Sequence, residues 1–346
     1  MRVEVVAVET HYHGANTSDE PSTCELLSLK GEYLLPPPSN EFAVFRGGRI
    51  SRTTTATGRK RPGQGRILRY RIDFFSVLTV VSVFAFQLVA YFLPLPWYLI
   101  IVLPVAIRGL HLVEHNHSHL KIFRQNLFNE MLGWMCFISN GVPVEAYEMH
   151  HVHNHHRFAQ QYGTLNSDWS STFGFENTSF PNKPCGRAYY CLTYAPLAWL
   201  HCWIEVLRRP GTRMFARFLT SFTLCIGISL FLLIRDPVQY FLWFGIPWAL
   251  AYVGMANANY DHHRDCEHST PYNSARDNLS LTFRSFGFNI GYHVEHHMKP
   301  TLHWSLLPQF HERVMEEIPV ENYYVMPFSR PSSAEKETAS MGASTG

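Results

Sequence analysis

Residues 73–119 decide the fold of this 346-residue chain: DFFSVLTVVSVFAFQLVAYFLPLPWYLIIVLPVAIRGLHLVEHNHSH. No charged residue lies between Asp73 and Arg108, and one helix needs only about 20 apolar residues to cross the core of a bilayer. The run is therefore long enough for two crossings, and Pro94 and Pro96 mark the place of a turn. We predict a helical hairpin, with crossings at 74–93 and 95–112, whose second leg leads directly into a cluster of histidines.

A second hairpin follows the same pattern later in the chain. Residues 218–234 and 238–260 are uncharged, and the sequence Arg-Asp-Pro between them supplies a turn. Residues 127–144 and 188–206 are also apolar but contain charged side chains, so we expect them to lie along the membrane surface. An even number of further crossings would also keep the histidines on one side. The predicted fold is all-α and integral to the membrane, with about four crossings in two hairpins and a histidine-rich helical cap.

Basic residues precede both hairpins. Eight Lys or Arg residues lie between positions 49 and 71, and four Arg residues lie between positions 208 and 217. Lys and Arg collect on the cytoplasmic side of membrane proteins. Both hairpins are therefore predicted to enter from the cytoplasm and return to it, which places the histidine cap and both termini on the cytoplasmic face.

The two ends of the chain differ in composition from its middle. Residues 1–68 are rich in Pro, Gly, Thr and basic residues without sustained periodicity, so we predict a disordered tail there and another at 329–346. The membrane domain is predicted at 69–328. No apolar segment follows the start, which argues against a secretory signal. The net charge of +2 gives no sign of nucleic-acid binding, and seven scattered cysteines without a C-x-x-C motif suggest reduced thiols.

Seventeen of the twenty histidines lie in two stretches, 111–156 and 262–311. Residues three or four apart share one face of a helix, and neutral imidazole is the commonest protein ligand of transition metals. Structural zinc sites need only four ligands and usually include cysteine, so eight or nine clustered imidazoles fit two metal ions better than one. Glu-x-x-His pairs of the kind found in soluble di-iron proteins also occur, but the excess of histidine favours imidazole ligation. These pairs are Glu114 with His117 and Glu148 with His151.

These motifs resemble those of the integral-membrane fatty acid desaturase and hydroxylase superfamily. His115-Asn-His-Ser-His119 is similar to its first box, H-x-x-x-H, and His151-Val-His-Asn-His155-His156 to its second, H-x-x-x-H-H. His293-Val-Glu-His296-His297 is similar to the third box, H-x-x-H-H, and Asn259-Tyr-Asp-His-His263 to an additional N-x-x-x-H motif. The resemblance covers residues 69–328.

The resemblance implies a non-haem di-iron centre with nine histidine ligands and an asparagine that holds a water. Carried onto this chain, the ligands are His115, His119, His151, His155, His156, His263, His293, His296 and His297, and the asparagine is Asn259. Box two could instead use His150 or His153 in place of His151. Ligating imidazoles usually donate their second N–H to an oxygen, and five carboxylates are candidates for that role. They are Glu114, Asp168, Asp261, Asp265 and Glu295.

Five further histidines stand beside the expected ligands, and their role is left open. They are His111, His117, His150, His153 and His262, of which His111 is a candidate partner of a ligand. We expect His268, His303 and His311 to be surface or packing residues, and His201 to lie at the membrane interface. The aromatic residues Trp243, Phe244 and Trp248 are expected to face lipid or fill the core rather than line a substrate site.

The function implied is an O2-dependent fatty acyl desaturase with two iron ions. Its substrate would be an acyl-lipid, an acyl-CoA or an acyl-carrier protein. No flavin or haem motif appears in the sequence, so two electrons must come from an external donor of the cytochrome b5 or ferredoxin kind, docking near Arg208 and Arg209. A membrane di-iron hydroxylase or ketolase that acts on a lipid or carotenoid carries similar boxes and is the alternative.

Two other classes fit the sequence less well. A metal transporter would carry histidine or acidic residues at mid-bilayer, and the four predicted crossings have none there. A zinc hydrolase would be expected to show a motif such as H-E-x-x-H, which is absent.

Overall fold

The computed structural model describes residues 67–93, 95–161, 167–173, 186–266 and 269–324. Nearly all of the two tails predicted at 1–68 and 329–346 lies outside these residues, as does the separate unit Met1–Arg59. The described residues belong to the unit Lys60–Gly346.

Helices account for nearly all of the regular structure. In chain order through the described residues they are α1 (Asp73–Phe92), α2 (Leu103–His119), α3 (Asn126–Asn140), α4 (Val144–His150), α5 (His156–Phe158), α6 (Arg187–Tyr189), α7 (Ala195–Leu207), α8 (Arg213–Arg235), α9 (Pro237–Tyr240), α10 (Ile246–His263), α11 (His293–Met298) and α12 (Leu307–Val314). Short 3₁₀ turns and five-residue π-helical turns continue several of them. No strand occurs among the described residues beyond two isolated bridges.

Among the described residues, four helices are long and apolar enough to cross a membrane, which confirms the predicted all-α membrane fold. The spans are Asp73–Phe92, Trp97–His119, Arg213–Arg235 and Pro237–His263. Each corresponds to a crossing predicted from an uncharged run. Apolar side chains on their outer faces are largely exposed, as lipid-facing residues are, among them Ile101 at 78% and Ile234 at 80%.

The spans pack on one another through an apolar core. Leu103, Ile107 and Leu110 form one stripe of α2 and are fully buried in the core that α2 shares with α1, α3 and α10. Trp243 and Phe244, expected to face lipid or fill the core, are fully buried core residues. Within this core α1 carries one amide, Gln87. Its Nε2 donates to the carbonyl oxygens of Ser139 (3.1 Å) and Trp243 (3.0 Å), so its N–H groups are satisfied without water.

The two segments expected along the membrane surface are also helical. The helix α3 has 15 residues, roughly 22 Å at 1.5 Å per residue, which is less than the ~30 Å of the hydrocarbon core. The second segment is longer, because a π-helical turn joins α6 to α7 in one helical run, Arg187–Leu207. Neither segment is among the four apolar spans of the described residues, which agrees with the prediction that they lie along the membrane surface.

The start of α1 is tied to the histidine-rich cap. Asp73 Oδ1 accepts from His303 Nε2 (3.1 Å) and from Trp304 Nε1 (3.0 Å), and Tyr70 stacks on the His303 ring at 3.8 Å between centroids. His303 is therefore a buried packing residue. These contacts hold the segment that follows the third histidine box against the first span.

Candidate metal centre

All nine histidines identified in the sequence come together in two neighbouring groups. In each group every ring offers one nitrogen, and these nitrogens lie within 4.8 Å of one another. We call the larger set the five-histidine group: His115, His119, His151, His156 and His296. The other is the four-histidine group: His155, His263, His293 and His297.

Box one follows the helical spacing read from the sequence. His115 and His119 lie one turn apart on α2, at its end, and their ring centroids are 5.4 Å apart. The next residue, Leu120, has an extended backbone, so the helix stops once both rings are placed.

Box two departs from the expected spacing. The helix α4 widens at His151–His155 into a π-helical turn, in which residues five apart become neighbours. His151 Nε2 therefore lies 3.2 Å from His156 Nε2, and both belong to the five-histidine group. His155, four residues after His151, belongs to the four-histidine group instead.

Box three serves both groups from one short helix. On α11, His293 and His297 share a face and enter the four-histidine group, whereas His296 enters the other. Successive helical residues point about 100° apart, so adjacent His296 and His297 cannot face the same point. His296 Nε2 lies 2.9 Å from His156 Nε2, and His293 Nε2 lies 3.0 Å from His263 Nε2.

The tautomers of two rings indicate that a cation belongs between them. His155 Nδ1 donates to Asp168 Oδ2 (2.8 Å), and His263 Nδ1 donates to the carbonyl oxygen of Ser274 (3.0 Å). A neutral imidazole has only one N–H, so both Nε2 atoms carry lone pairs. They nevertheless face each other at 3.1 Å, where the two lone pairs repel each other. A metal ion bound between the rings would accept both lone pairs and remove this repulsion.

Distances and unpartnered atoms fit the same interpretation. Imidazole nitrogens bound at about 2.0–2.1 Å to one ion lie roughly 2.9–3.4 Å apart for bond angles between 90° and tetrahedral. The four closest Nε2 contacts in the two groups measure 2.9–3.2 Å. The Nε2 atoms of His115, His119 and His297 are buried and have no hydrogen-bond partner. The donor set therefore fits two transition-metal ions.

Burial keeps the ring nitrogens available as ligands. Outside the spans, burial and neighbouring imidazoles lower the pKa of five histidines well below the usual value: His151, His156, His293, His296 and His297. These rings are neutral at physiological pH, which is the form that binds a metal ion.

Asp168 contacts a candidate ligand ring and is itself firmly held. Besides His155, it accepts from the backbone N–H of Gln160 (3.0 Å) and from both the N–H and the hydroxyl of Ser170 (2.8 Å each). Burial would raise the pKa of Asp168, but the His155 ring and these hydrogen bonds outweigh it and hold the pKa below its usual range. The carboxylate therefore stays ionised and fixes the orientation of His155.

The other four candidate carboxylates contact different groups. Glu114 Oε2 accepts from Asn140 (2.7 Å), Glu295 Oε1 lies 2.5 Å from His311, and Asp261 pairs with Arg187 (2.5 Å). Asp265 is exposed and pairs with Arg264. None of the four forms a hydrogen bond with a candidate ligand ring among the described residues.

Neither Glu-x-x-His pair places its carboxylate in the two groups, and of their two histidines only His151 belongs to one. Glu148 forms ion pairs with Lys121 and Arg217 instead. Burial raises the pKa of Glu148, but these two cations outweigh it and hold the pKa below its usual value of 4.5. His117 is buried, and its Nδ1 accepts from the N–H of Ile122 (3.4 Å). The interpretation that favoured imidazole over carboxylate ligation agrees with this arrangement.

The extra histidines lie outside both groups. His153 is exposed, while His111, His150 and His262 line an adjoining cavity. His262 Nδ1 donates to the carbonyl oxygen of Arg276 (3.1 Å), and burial lowers the pKa of His150 to about 4. His268 lies outside the described residues, His201 is partly exposed beside Glu205, and His311 is a buried partner of Glu295.

A largely apolar cavity ends at the two groups. Its volume, traced by the centre of a water-sized sphere, is about 100 Å³, and the cavity is partly open to the outside. Its wall includes His115 and His151 from one group and His293 from the other. The remaining wall is mostly apolar or aromatic, and includes Leu112, Tyr147, Ala195, Trp199, Met255 and Phe283. A long apolar ligand in this cavity would lie beside both groups.

Asn259 lies one turn before His263 on α10 and also lines the cavity. Its Nδ2 donates to the hydroxyl of Tyr190 (2.6 Å), which in turn donates to the carbonyl oxygen of Ser170 (3.0 Å). The side chain is thus held in the cavity wall, one helical turn from His263 of the four-histidine group.

Comparison with known proteins places the chain in a family. Searches of curated proteins and of solved structures give no significant match. The sequence profile described as "Fatty acid desaturase" matches residues 92–329, which include all nine histidines and all four box motifs. The chain therefore belongs to the fatty acid desaturase family.

Proposed function

We propose that this protein is an O2-dependent desaturase of fatty acyl chains that uses a histidine-ligated di-iron centre. The observation that carries the proposal is the apolar cavity, whose wall contains candidate ligands of both histidine groups. An unactivated C–H bond needs a strong oxidant, and a bound pair of iron ions would supply one from O2. Imidazole ligation alone suits several transition metals, so the choice of iron rests on the family.

In the proposed reaction the protein supplies ligands, positioning and exclusion of water. The five-histidine group would hold one ion and the four-histidine group the other, with Asn259 beside the latter. The chain lies along the cavity next to His115, His151 and His293. Two hydrogens leave adjacent carbons, a C=C bond forms, and O2 takes up these hydrogens with two electrons and two protons to give two waters.

The electrons come from outside the chain in this proposal. We propose a donor of the cytochrome b5 or ferredoxin kind, and a cytoplasmic orientation of the histidine cap and both termini. Arg208, Arg209 and Arg213 are exposed at the junction of α7 and α8. They offer a basic surface to an acidic electron-transfer partner.

Hydroxylation is the second candidate, because it needs the same centre and the same cavity. It would insert one oxygen atom into a C–H bond and reduce the other to water with two electrons and two protons. A ketolase reaction on a lipid or carotenoid would need two such hydroxylations at the same carbon, followed by loss of one water.

The test is expression of the full chain in a host with a simple lipidome, together with a donor protein and its reductase. Acyl chains are then compared by mass spectrometry, with His297→Ala as the inactive control. A species two mass units lighter that is absent in the control supports desaturation, and one sixteen units heavier supports hydroxylation. Full activity of His297→Ala would overturn the assignment of the metal centre.

A further inference from the structure

Arg108 stands out as a cation midway along the apolar span Trp97–His119. A charged side chain inside a membrane span is costly, and such residues face a bundle interior or a cavity and usually mark a functional site. Arg108 meets this description, because it lines the cavity that ends at the histidine groups.

The guanidinium has no anionic partner among the described residues. The guanidinium lies over the ring of Phe283, at 5.6 Å from the centroid. Two carboxylates of the neighbouring helix turns have other partners: Glu114 accepts from Asn140 and lies 3.5 Å from His111 Nδ1, and Asp261 pairs with Arg187. Among the described residues, the guanidinium of Arg108 in the cavity wall therefore forms no ion pair.

A second donor lies one helical turn away. This donor is His111, and the neighbouring Asn140 fixes its tautomer. The N–H of Val142 donates to Asn140 Oδ1 (2.8 Å), so the side-chain nitrogen of Asn140, Nδ2, is oriented as a donor. This Nδ2 lies 3.2 Å from His111 Nδ1, so the ring accepts there and carries its hydrogen on Nε2. His111 Nε2 is buried and has no partner, and His111 lines the same cavity as Arg108.

An oxyanion satisfies both residues at once. A carboxylate or phosphate accepts from the planar guanidinium, often through two parallel hydrogen bonds, and has further lone pairs for an imidazole N–H. The rest of the cavity wall is mostly apolar, as a hydrocarbon chain requires. We propose that Arg108 and His111 form a binding site for the carboxylate or phosphate head group of the lipid substrate.

This proposal rests on the proposed function and narrows its substrate to an anionic lipid. Arg108 precedes His115 by seven residues on one helix, which corresponds to roughly 10 Å along the axis. A head group held there places the first carbons near α2 and later carbons beside the histidines. The position of oxidation would then be counted from the head group rather than from the methyl end.

The experiment measures binding of tritiated palmitic acid to the purified full-length protein, at a pH where the acid is ionised. Competitors are palmitic acid, palmitoyl lysophosphatidic acid and hexadecanol, which share a similar chain and differ in head group. We expect the acids to compete at least tenfold better than the alcohol. Arg108→Gln should weaken the acids by roughly tenfold to a hundredfold and leave the alcohol unchanged.

Two further variants make the result specific. Arg108→Lys keeps the charge and should retain part of the preference for acids, while Arg313→Gln, on the exposed side of α12, should behave as wild type. Tighter competition by palmitic acid identifies a carboxylate head group, and tighter competition by the lysophosphatidic acid identifies a phosphate.

Equal competition by acid and alcohol in the wild type would overturn the head-group site but leave the desaturase proposal standing. This comparison needs no variant, so it remains decisive if Arg108→Gln does not fold. A preference for acids that survives in folded Arg108→Gln would equally overturn it. A wild type that binds no acyl lipid at all would overturn the proposed function, and the head-group site with it.

Discussion

Replacement of Asp168 by asparagine tests whether this carboxylate orients the candidate ligand His155 or only stabilises the fold. The substitution keeps the shape of the side chain but converts one of its two acceptor oxygens into an N–H donor. In the wild type all four hydrogen bonds to this carboxylate come from donors: the His155 ring, the N–H of Gln160, and the N–H and hydroxyl of Ser170. In either orientation of the asparagine amide, its NH2 group therefore meets groups that also donate hydrogen bonds.

The two orientations have different consequences. If the new amide nitrogen faces Ser170, one backbone N–H loses its acceptor, which costs about 1–3 kcal/mol of stability. If it faces His155, the N–H of Gln160 loses its acceptor, since it shares Oδ2 with His155. The His155 ring is also driven to the other tautomer, which places a hydrogen on the Nε2 that points into the four-histidine group. Partners of metal-ligating histidines typically contribute 10–100-fold to metal affinity, or about 1.4–2.7 kcal/mol. We expect a loss of iron affinity in this range.

The assay is iron content of purified protein, measured by mass spectrometry across a series of chelator concentrations. Asp265→Asn is the matched control, because Asp265 is exposed and pairs only with Arg264 among the described residues. The variant should lose iron at lower chelator concentration than the control. An Asp168→Asn protein that is folded and holds iron as tightly as the wild type would refute the inferred role of Asp168.

Two further substitutions test the frame that supports the centre. Gly141→Ala should lower the melting temperature, because Gly141 ends α3 at φ +77° and a Cβ there would lie 2.7 Å from the Trp248 ring. The control is Gly211→Ala, at φ +83° with open space around it, which should cost only about 1 kcal/mol of stability from the backbone conformation. Equal losses of stability in the two variants would contradict a clash at Trp248. Glu148→Gln should destabilise the protein by about 1–3 kcal/mol at neutral pH, because its ion pairs are lost. The pKa of Glu148 is held below 4.5 in the folded state, so its stabilisation is present above that value and is lost as pH falls through the folded pKa. Thermal unfolding at a series of pH values should therefore show the wild type and Glu148→Gln converging in acid, and a constant difference would contradict this.

The spans were predictable because a bilayer imposes a simple rule on sequence. A helix that crosses hydrocarbon must be about 20 residues long and nearly free of charge, and uncharged runs of that kind are visible without any structural knowledge. The one charged residue before the histidines of the first hairpin, Arg108, is an exception to this rule. Arg108 marked the end of the uncharged stretch in the sequence, yet the helix continues through it to His119. Its role as part of the cavity wall could be seen only once α10 and the segment around Phe283 were in place.

The carboxylate partners of the histidines were harder to predict for a geometric reason. Glu114 and Glu295 stand directly beside candidate ligands in the sequence, which made them candidates. Adjacent residues on a helix point about 100° apart, so a neighbour in sequence faces away from the ligand that it follows or precedes. Asp168 instead reaches His155 from a loop thirteen residues later. No periodicity connects a loop to a helix, so sequence spacing could not single it out from the other candidates.

The same 100° rotation explains why the boxes contain doubled histidines. In His155-His156 and in His296-His297, each pair divides between the five-histidine and four-histidine groups. A single metal ion could not use both members of such a pair, because their rings diverge. Two ions side by side can, since one helix then contributes to both from the same turn. His150-His151 and His262-His263 show that doubling alone is insufficient, because only one member of each joins a group. The two pairs whose members enter different groups share one further feature, a group histidine four or five residues earlier in the sequence. This residue is His151 for His156, and His293 for His297. That combination is the feature of this sequence that indicates two ions.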